Sequence, residues 1–438
     1  MLSGKTVVLG VTGSIAAYKI AGLASRLVKL RADVHVIMTE NALNFIHPTT
    51  FESLTGNKCL VDTFDRNFQF HIAHVSLAQR ADVLLVAPAS ANSIAKLAWG
   101  LADDMLSTTA LAMSGPVLVA PAMNVRMYNQ PVVQDNLARL REYGKIIIPP
   151  ESGYLACGDV GTGKLASEDV LLSYILREIA CKKDLSGMRV LVTAGPTREP
   201  LDPVRFITNH STGKMGYAIA RRAMLRGADV TLVTGPVSLA PPPFVRVVSV
   251  NRAEEMFEAV RERFEEQDLI IKAAAVADYA PLAIRDEKIK KQGGAMTLEL
   301  GRTRDILAWL GERVKPGQAL CGFSMETEAL LEHSREKLIK KKADLIAANC
   351  LREEGAGFGT DTNHLVLIGR DSVTDLPLLS KDDAADRLLD ELRAIWEQKN
   401  GAGGSGTDFS CPGVRRSGAF PKGGQDAGKE ENADDLCG

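Results

Sequence analysis

Short runs that are apolar at nearly every position, such as Val83-Leu84-Leu85-Val86-Ala87, recur along this chain between amphipathic stretches of helix length. A strand reads this way when helices cover both faces of its sheet, because every side chain is then buried; a one-sided sheet alternates instead. Strands are predicted at 5–10, 32–39, 81–88, 116–121 and 145–150, and a second series begins afresh at 189–194, 228–234, 245–250, 268–274, 319–323, 344–348 and 364–368. Strand alternating with helix implies an α/β class with two doubly wound, Rossmann-like domains. A length of 438 residues exceeds a single core. The expected division is 1–180 and 186–398, across the polar, glycine-ended linker Cys181-Lys182-Lys183-Asp184-Leu185-Ser186-Gly187, with the boundary near residue 185. From Asn400 aliphatics almost vanish, so the tail 400–438 is predicted disordered.

Composition narrows the function classes. Lys plus Arg number 52 against 54 Asp plus Glu, a net charge of −2, which argues against a bulk electrostatic binder of nucleic acid. No apolar run approaches the ~18 residues of a membrane span, and the first residues show no export-signal pattern. Seven cysteines without a CxxC pair read as reduced thiols rather than a disulfide framework or zinc site. The expectation is a soluble cytoplasmic protein acting on small molecules.

Ligands of open α/β sheets bind at the carboxyl ends of strands. There the first series places Gly10-Val11-Thr12-Gly13-Ser14, which is not GxGxxG, and its second strand ends at Met38-Thr39 without the acidic residue that reads a ribose hydroxyl. A cofactor with one phosphate fits better than NAD. Ala87-Pro88-Ala89-Ser90-Ala91-Asn92-Ser93, Gly100 to Thr108 and Pro121-Ala122-Met123-Asn124 supply further small, hydroxyl or amide groups. Ordinary turn chemistry accounts for each loop taken singly.

Taken together, GSIAAYK, HIAHVSL, APASANSIAKLAWGLADD, PAMNVRM and the glycine-flanked Gly153-Tyr154-Leu155-Ala156-Cys157-Gly158-Asp159 resemble the flavin-containing cysteine decarboxylases. The resemblance implies a flavodoxin-like fold, an FMN cofactor and a phosphopantothenoyl-cysteine substrate. Its cofactor positions fall on Gly13, Ser14, Thr39, Ser90, Ala91, Asn92, Met105, Ser107 and Thr108. Its catalytic positions fall on His74, on Asn124 as holder of the substrate carboxylate, and on Cys157 as proton donor in a mobile lid between Gly153 and Gly163. The substrate has no electron sink for departing CO₂, and an oxidised flavin can provide one by taking a hydride from the thiol-bearing carbon and later returning it. Two departures from the family pattern are Tyr128, where Trp is usual, and Lys164, where Arg is commoner.

In the second series NHSTGKMG opens a helix but is no Walker A loop, because Gly213-Lys214 is followed by Met215. Asp278, closing a strand with small residues, is a reasonable Mg²⁺ ligand near phosphates, and Lys288-Ile289-Lys290-Lys291 concentrates positive charge. NHSTGKMG, KAAAVADY, EKIKK, GFSMETE and DLIAAN resemble the phosphopantothenate–cysteine ligases. In this order the two halves resemble the bacterial bifunctional enzymes of coenzyme A synthesis. The resemblance implies CTP as co-substrate, Lys288 stabilising carboxylate activation, and Asn209 acting in formation or use of an acyl-cytidylate. Nucleotide contacts are implied at Ala273, Ala274, Ala275, Asp278, Lys288, Arg304, Asp305, Ile306, Leu307, Phe323, Lys337 and Lys341. It also implies a homo-oligomer, decarboxylase trimers joined through ligase dimers, up to a dodecamer. Two rival readings are an NAD(P)-linked oxidoreductase, disfavoured by the missing fingerprint, and a flavodoxin-like electron carrier fused to a nucleotide-binding module, which would release no CO₂.

Overall fold

The computed structural model describes residues 1–63, 73–154, 158–290, 296–326, 329–350, 357 and 359–401. In the first half β1 (Thr6–Val11), β2 (Asp33–Met38), β3 (Val83–Ala89), β4 (Val117–Pro121) and β5 (Ile146–Ile147) form a parallel sheet in the order β2-β1-β3-β4-β5. Every residue of β3 is buried, as its unbroken apolar run requires. On one face the helix Lys19–Lys29 buries Ile20, Leu23, Ala24 and Leu27, spaced as one helical stripe, and Glu168–Ile179 joins it. The other face is covered by Ala73–Arg80, Ala91–Trp99, Met105–Ala112 and Pro131–Glu142. This order is the flavodoxin arrangement, whose switch point, where the winding reverses, lies between β1 and β3.

The predicted strand at 145–150 pairs only at Ile146 and Ile147. Pro149 and Pro150 lack the N–H groups a ladder needs, and the chain turns instead into a hairpin of β6 (Glu151–Tyr154) and β7 (Val160–Lys164).

The second half contains β8 (Arg189–Ala194), β9 (Arg198–Pro200), β10 (Phe206–Thr208), β11 (Asp229–Thr234), β12 (Arg246–Ser249), β13 (Leu269–Lys272), β14 (Tyr279–Pro281), β15 (Leu300–Arg302), β16 (Ala319–Glu326), β17 (Leu345–Cys350), β18 (Thr362–Asn363), β19 (Val366–Gly369), β20 (Val373–Asp375) and β21 (Leu379–Ser380). Its main sheet runs β12-β11-β8-β13-β16-β17-β19-β20. The first six are parallel, and counted within this half they follow the Rossmann order 3-2-1-4-5-6. The apolar run at 364–368 does form a strand, yet β19 lies antiparallel to β17, and β20 extends the edge. Apolar content marks a buried strand without fixing its direction. Small hairpins β9/β10 and β14/β15 rise from the ligand edge.

The linker is fastened to the second half. Leu185 is fully buried, and Asp184 pairs with Arg226 at 2.8 Å and Arg393 at 2.9 Å. Burial pushes the Asp184 carboxyl up, but the Arg226 hydrogen bond and the charges of Arg226 and Arg393 together outweigh it and hold the pKa below the ordinary carboxylate range. The closing helix, Lys381–Gly401, buries Ala384, Ala385, Leu388, Leu389 and Leu392. It runs through Asn400, whose amide donates to the Gly317 and Trp396 carbonyls, so the first two residues of the predicted tail are helical. The rest of that tail, 402–438, lies outside the described residues. Among the described residues no helix is long and apolar enough to cross a membrane.

Candidate active sites

At the switch point of the first sheet, the loops after β1 and β3 are tied together. The buried Thr12 hydroxyl donates to the Pro88 carbonyl at 2.6 Å and accepts the Ser90 N–H at 2.9 Å. Ser90 then caps the helix Ala91–Trp99 by accepting the Ser93 N–H, leaving Ala91 half-buried and Asn92 exposed in its first turn. Ser14 caps the short turn of helix Ile15–Tyr18 through the Ala16 N–H. Thr39 donates its N–H to the Val11 carbonyl, which brings the end of β2 beside the same edge. A side chain on Gly13 would meet Asn41 Cβ at 2.7 Å, so glycine is needed where these turns crowd. Gly13, Ser14, Thr39, Ser90, Ala91 and Asn92 are thus assembled along one edge.

Met105, Ser107 and Thr108 sit at the start of the helix Met105–Ala112, where Asp104 and Ser107 form a reciprocal capping box. Thr108 donates to the Asp104 carbonyl at 2.7 Å. Met105 is buried in the core beside Leu77 and Ala78 of the helix Ala73–Arg80. Burial raises the Asp104 carboxyl, yet the Lys96 ammonium 2.8 Å away holds its pKa below normal. Both hydroxyls therefore already serve the fold.

His74 stands half-buried in the first turn of Ala73–Arg80. Asn124 closes β4, accepts the Arg126 N–H at 2.8 Å and donates from Nδ2 to the Asp159 carboxylate at 2.7 Å. The β6/β7 hairpin thereby leans on the PAMN turn. A Cβ on Gly161 would lie 2.7 Å from the Val125 side chain, and one on Gly163, at φ +152°, 2.4 Å from the Met123 carbonyl. Glycines allow this backbone approach, and Met123 N–H donates to the Gly163 carbonyl at 3.0 Å. Cys157 lies outside the described residues, as does the mid-hairpin segment 155–157. Lys164 stands 3.8 Å from Glu151. Asp159, quoted within the cysteine motif but given no role there, is the group that orients Asn124.

The second half presents a cavity of about 680 Å³ at the carboxyl edge of β13 and β16. Eight expected nucleotide residues line it: Asp278, Arg304, Asp305, Ile306, Leu307, Phe323, Lys337 and Lys341. Lys337 and Lys341, one helical turn apart, both face it as their spacing predicts. Lys337 donates to the Phe323 carbonyl at 2.9 Å, and Lys341 pairs with Asp305 at 2.5 Å. Although burial raises it, the Asp305 carboxyl is held low by Lys341, and it caps the helix Ile306–Gly311 through the Ala308 N–H. Arg304 lies over the Phe257 ring and near Glu254 and Glu258. Lys272, Arg302 and Lys340 also line the cavity; the sequence reading gave none of them a role.

Ala273, Ala274 and Ala275 leave β13 with their N–H groups engaged by the Thr193 carbonyl, the Thr193 hydroxyl and the Gly195 carbonyl. Those amides are therefore closed to a phosphate, and what the segment offers a ligand is its small methyl-lined surface. Asn209, exposed, donates to the Ala275 carbonyl at 3.0 Å. Neither Asn209 nor Lys288 lines the cavity. Lys288 is exposed on a segment pinned by Asp202, a residue the sequence reading missed. Asp202 is 3% exposed and accepts the N–H groups of Ile289 at 3.0 Å and of Val204 and Arg205 at 2.8 Å. Arg205 donates to both Asp202 and the Ile289 carbonyl at 3.1 Å. Burial pushes this carboxyl up, and the three backbone donors more than offset it, holding the pKa low. An Asp before Pro203 and three residues before an Arg is an ordinary turn pattern in the sequence, so nothing local marked Asp202 as buried or as a partner of Ile289. Among the described residues no cluster of three His, Cys, Asp or Glu is arranged to hold a metal.

A flavodoxin-ordered sheet with a hydroxyl-lined switch point, followed by a Rossmann-ordered sheet with a cationic cavity, defines a two-part flavoprotein. Residues 1–180 match the family described as Flavoprotein, and residues 185–395 match the DNA/pantothenate metabolism flavoprotein C-terminal domain. The coenzyme A biosynthesis bifunctional protein CoaBC of Bacillus subtilis (strain 168) is 47% identical over 402 residues, 91% of this chain and 99% of that protein. CoaBC of Escherichia coli (strain K12) is 42% identical, again across 91% and 99%. A solved C-terminal domain of a CoaBC protein is 42% identical, covering 49% of this chain and 97% of its own, with a TM-score of 0.42. The chain belongs to the family of bifunctional coenzyme A biosynthesis proteins, enzymes in which a flavoprotein decarboxylase half precedes a ligase half.

Proposed function

We propose that residues 186–398 join 4′-phosphopantothenate to L-cysteine with CTP, and that residues 1–180 decarboxylate the product with FMN to give 4′-phosphopantetheine. The observation that carries the ligase reading is the cavity at the edge of β13 and β16, where Lys272, Arg302, Arg304, Lys337, Lys340 and Lys341 outnumber three carboxylates, Asp278, Asp305 and Glu336. So many cations around one opening suit a polyphosphate. The pantothenate carboxylate attacks the α-phosphate, pyrophosphate leaves, and the cysteine amine displaces the nucleotide from the acyl-cytidylate. Lys288 offsets charge gathering at the attacked phosphate, and Asn209, fixed to Ala275, orients the acyl-cytidylate. Arg304, Asp305, Ile306, Leu307, Phe323, Lys337 and Lys341 surround the nucleotide, against the methyl groups of Ala273, Ala274 and Ala275. One accessible carboxylate together with phosphate oxygens is how Mg²⁺ is usually held. Asp278 fits, being exposed at the cavity rim, whereas Asp305 is engaged by Lys341.

The switch point of the first sheet fits FMN: it is narrow at Gly13, carries the hydroxyls of Ser14, Thr39 and Ser90, and lacks an acidic ribose reader. Gly13, Ser14, Thr39, Ser90, Ala91, Asn92, Met105, Ser107 and Thr108 are its proposed contacts. When bound, FMN supplies the electron sink that the substrate lacks. Asn124, oriented by Asp159, holds the substrate carboxylate, His74 orients the thiol arm, and Cys157 donates the final proton. The enzyme acts in the cytoplasm as a homo-oligomer of decarboxylase trimers and ligase dimers.

Protein mixed with phosphopantothenate, cysteine and Mg²⁺ should release pyrophosphate and CO₂ with CTP, and much less with ATP. CO₂ release should follow the bound FMN content. A colourless protein after FMN addition, or CO₂ formed equally fast without flavin, overturns the decarboxylase reading; ATP used as well as CTP overturns the base preference.

A further inference from the structure

Lys272 ends β13, the strand between β8 and β16, and its side chain lines the cavity. Of the other cations that line it, Lys337 meets the Phe323 carbonyl, Lys341 the Asp305 carboxylate and Arg304 the pair Glu254 and Glu258, whereas Arg302 and Lys340 are exposed to solvent and Lys272 is half-buried. Lys272 has no hydrogen-bond or ion-pair partner among the described residues. From that geometry we propose that Lys272 is a further nucleotide-binding residue, an inner cation that reaches its partner only when the polyphosphate of the nucleotide fills the cavity. The inference rests on the ligase reading above.

The surrounding charges explain why the group waits. On the helix Leu330–Lys340 and its end, His333, Glu336, Lys337, Lys340 and Lys341 face the cavity; the end of β15 and the segment after it contribute Arg302, Arg304 and Asp305; Asp278 stands on the loop that follows Lys272. Burial first, then repulsion from Lys337, pushes the Lys272 ammonium down from 10.5 to about 8, while Asp305 and Asp278 only partly restore it. An anion between these cations removes both penalties. The sign follows: the nucleotide prefers the protonated lysine, so affinity is constant below about pH 8 and weakens above it. The loss approaches tenfold per pH unit until the raised pKa of the complex is reached.

Calorimetry of CTP and Mg²⁺ binding to the full-length protein, in buffers of different ionisation enthalpy, tests this. At pH 7 little proton uptake is expected; near pH 9 wild-type protein should take up most of one proton per CTP. Lys272→Met should lose about tenfold or more in CTP affinity at pH 7 and show no uptake at pH 9, while Lys272→Arg should recover affinity without the uptake. A thermal-unfolding profile of each variant that matches wild type reports that its second half is folded. CTP binding by wild type with no uptake near pH 9, or equal affinity in Lys272→Met, overturns the inference and leaves the ligase reading standing. Failure of wild type to bind CTP at all overturns both. Should Lys272→Met fail to fold, the wild-type buffer series decides alone.

Discussion

At the switch point of the first sheet the side chains are hydroxyls and amides that hydrogen-bond one another, as in the chain from Ser90 N–H through Thr12 to the Pro88 carbonyl. At the corresponding edge of the second sheet they are lysines and arginines around three carboxylates. Both edges come from a strand, a tight turn and a helix, and both have glycine at the turn. A site for a flat ring with one phosphate gains from shape and neutral donors, since burying unpaired charge is costly. A site for a polyphosphate has to bring cations close together in advance, and the Lys272 ammonium is pushed down first by burial and then by repulsion from Lys337. The fold provides the edge, and side-chain charge decides what each edge can hold.

The largest effect should come from removing a charge in the second half alone. Lys288→Gln is expected to lower ligation about 100-fold or more, the usual scale for removing a group that stabilises charge in the transition state. Decarboxylation of supplied phosphopantothenoyl-cysteine should stay within about twofold. Pyrophosphate release and CO₂ release measured on one preparation read the two halves separately. Equal loss of both would break the comparison, because the edges would then not be independent sites.

Next comes a shape change in the first half. Gly163→Ala puts a methyl 2.4 Å from the Met123 carbonyl, on backbone that L side chains rarely adopt. Neither side of that contact is a flexible side chain, so the hairpin must shift, at about 1–3 kcal/mol. Decarboxylation should fall while ligation persists, and amide exchange should quicken at Met123 and in β7. Normal decarboxylation with unchanged exchange would show that the hairpin's seat on the PAMN turn has no bearing on the first site.

Both sheets were legible because their signals are local. Val83 to Ala87 announces a strand buried on both sides, and Ile20, Leu23, Ala24 and Leu27 announce a helix stripe. The cavity residues were legible only through motif resemblance, since Phe323 and Lys337 meet through the winding of the sheet and carry no local sign of it. Hidden from the sequence were groups whose meaning is a long-range partner. Asp159 matters through Asn124, Asp202 through Ile289, and Lys272 through its lack of a partner. The direction of β19 was hidden too, since an apolar run reads the same either way. The three engaged alanine amides show the converse case, in which a motif marks a place and the hydrogen bonds limit what that place can do.

The smallest expected effect sharpens the comparison most, because it separates charge from position within one site. Asp202 touches none of the cavity, yet it fixes Ile289, the neighbour of Lys288, by its N–H, while Arg205 holds the carbonyl. Asp202→Asn keeps the size of the side chain and removes the charge that accepts three backbone donors. Lys288 keeps its own charge and loses its register, so ligation should fall about tenfold, less than the ~100-fold that a full 1 Å misplacement can cost. The loss should appear in kcat, with KM for CTP little changed, and the Ile289 amide should exchange faster. pH gives an independent reading. A carboxyl whose folded pKa is depressed contributes above its unfolded value, and that contribution is lost as pH falls through the folded one. Protection of the Ile289 amide in wild type should therefore hold at neutral pH and fade only on the acid side, below the ordinary carboxylate range. In Asp202→Asn it should be weak at every pH. Protection independent of pH in both proteins, or full ligation in the variant, would mean that Lys288 is held by something other than this buried carboxylate.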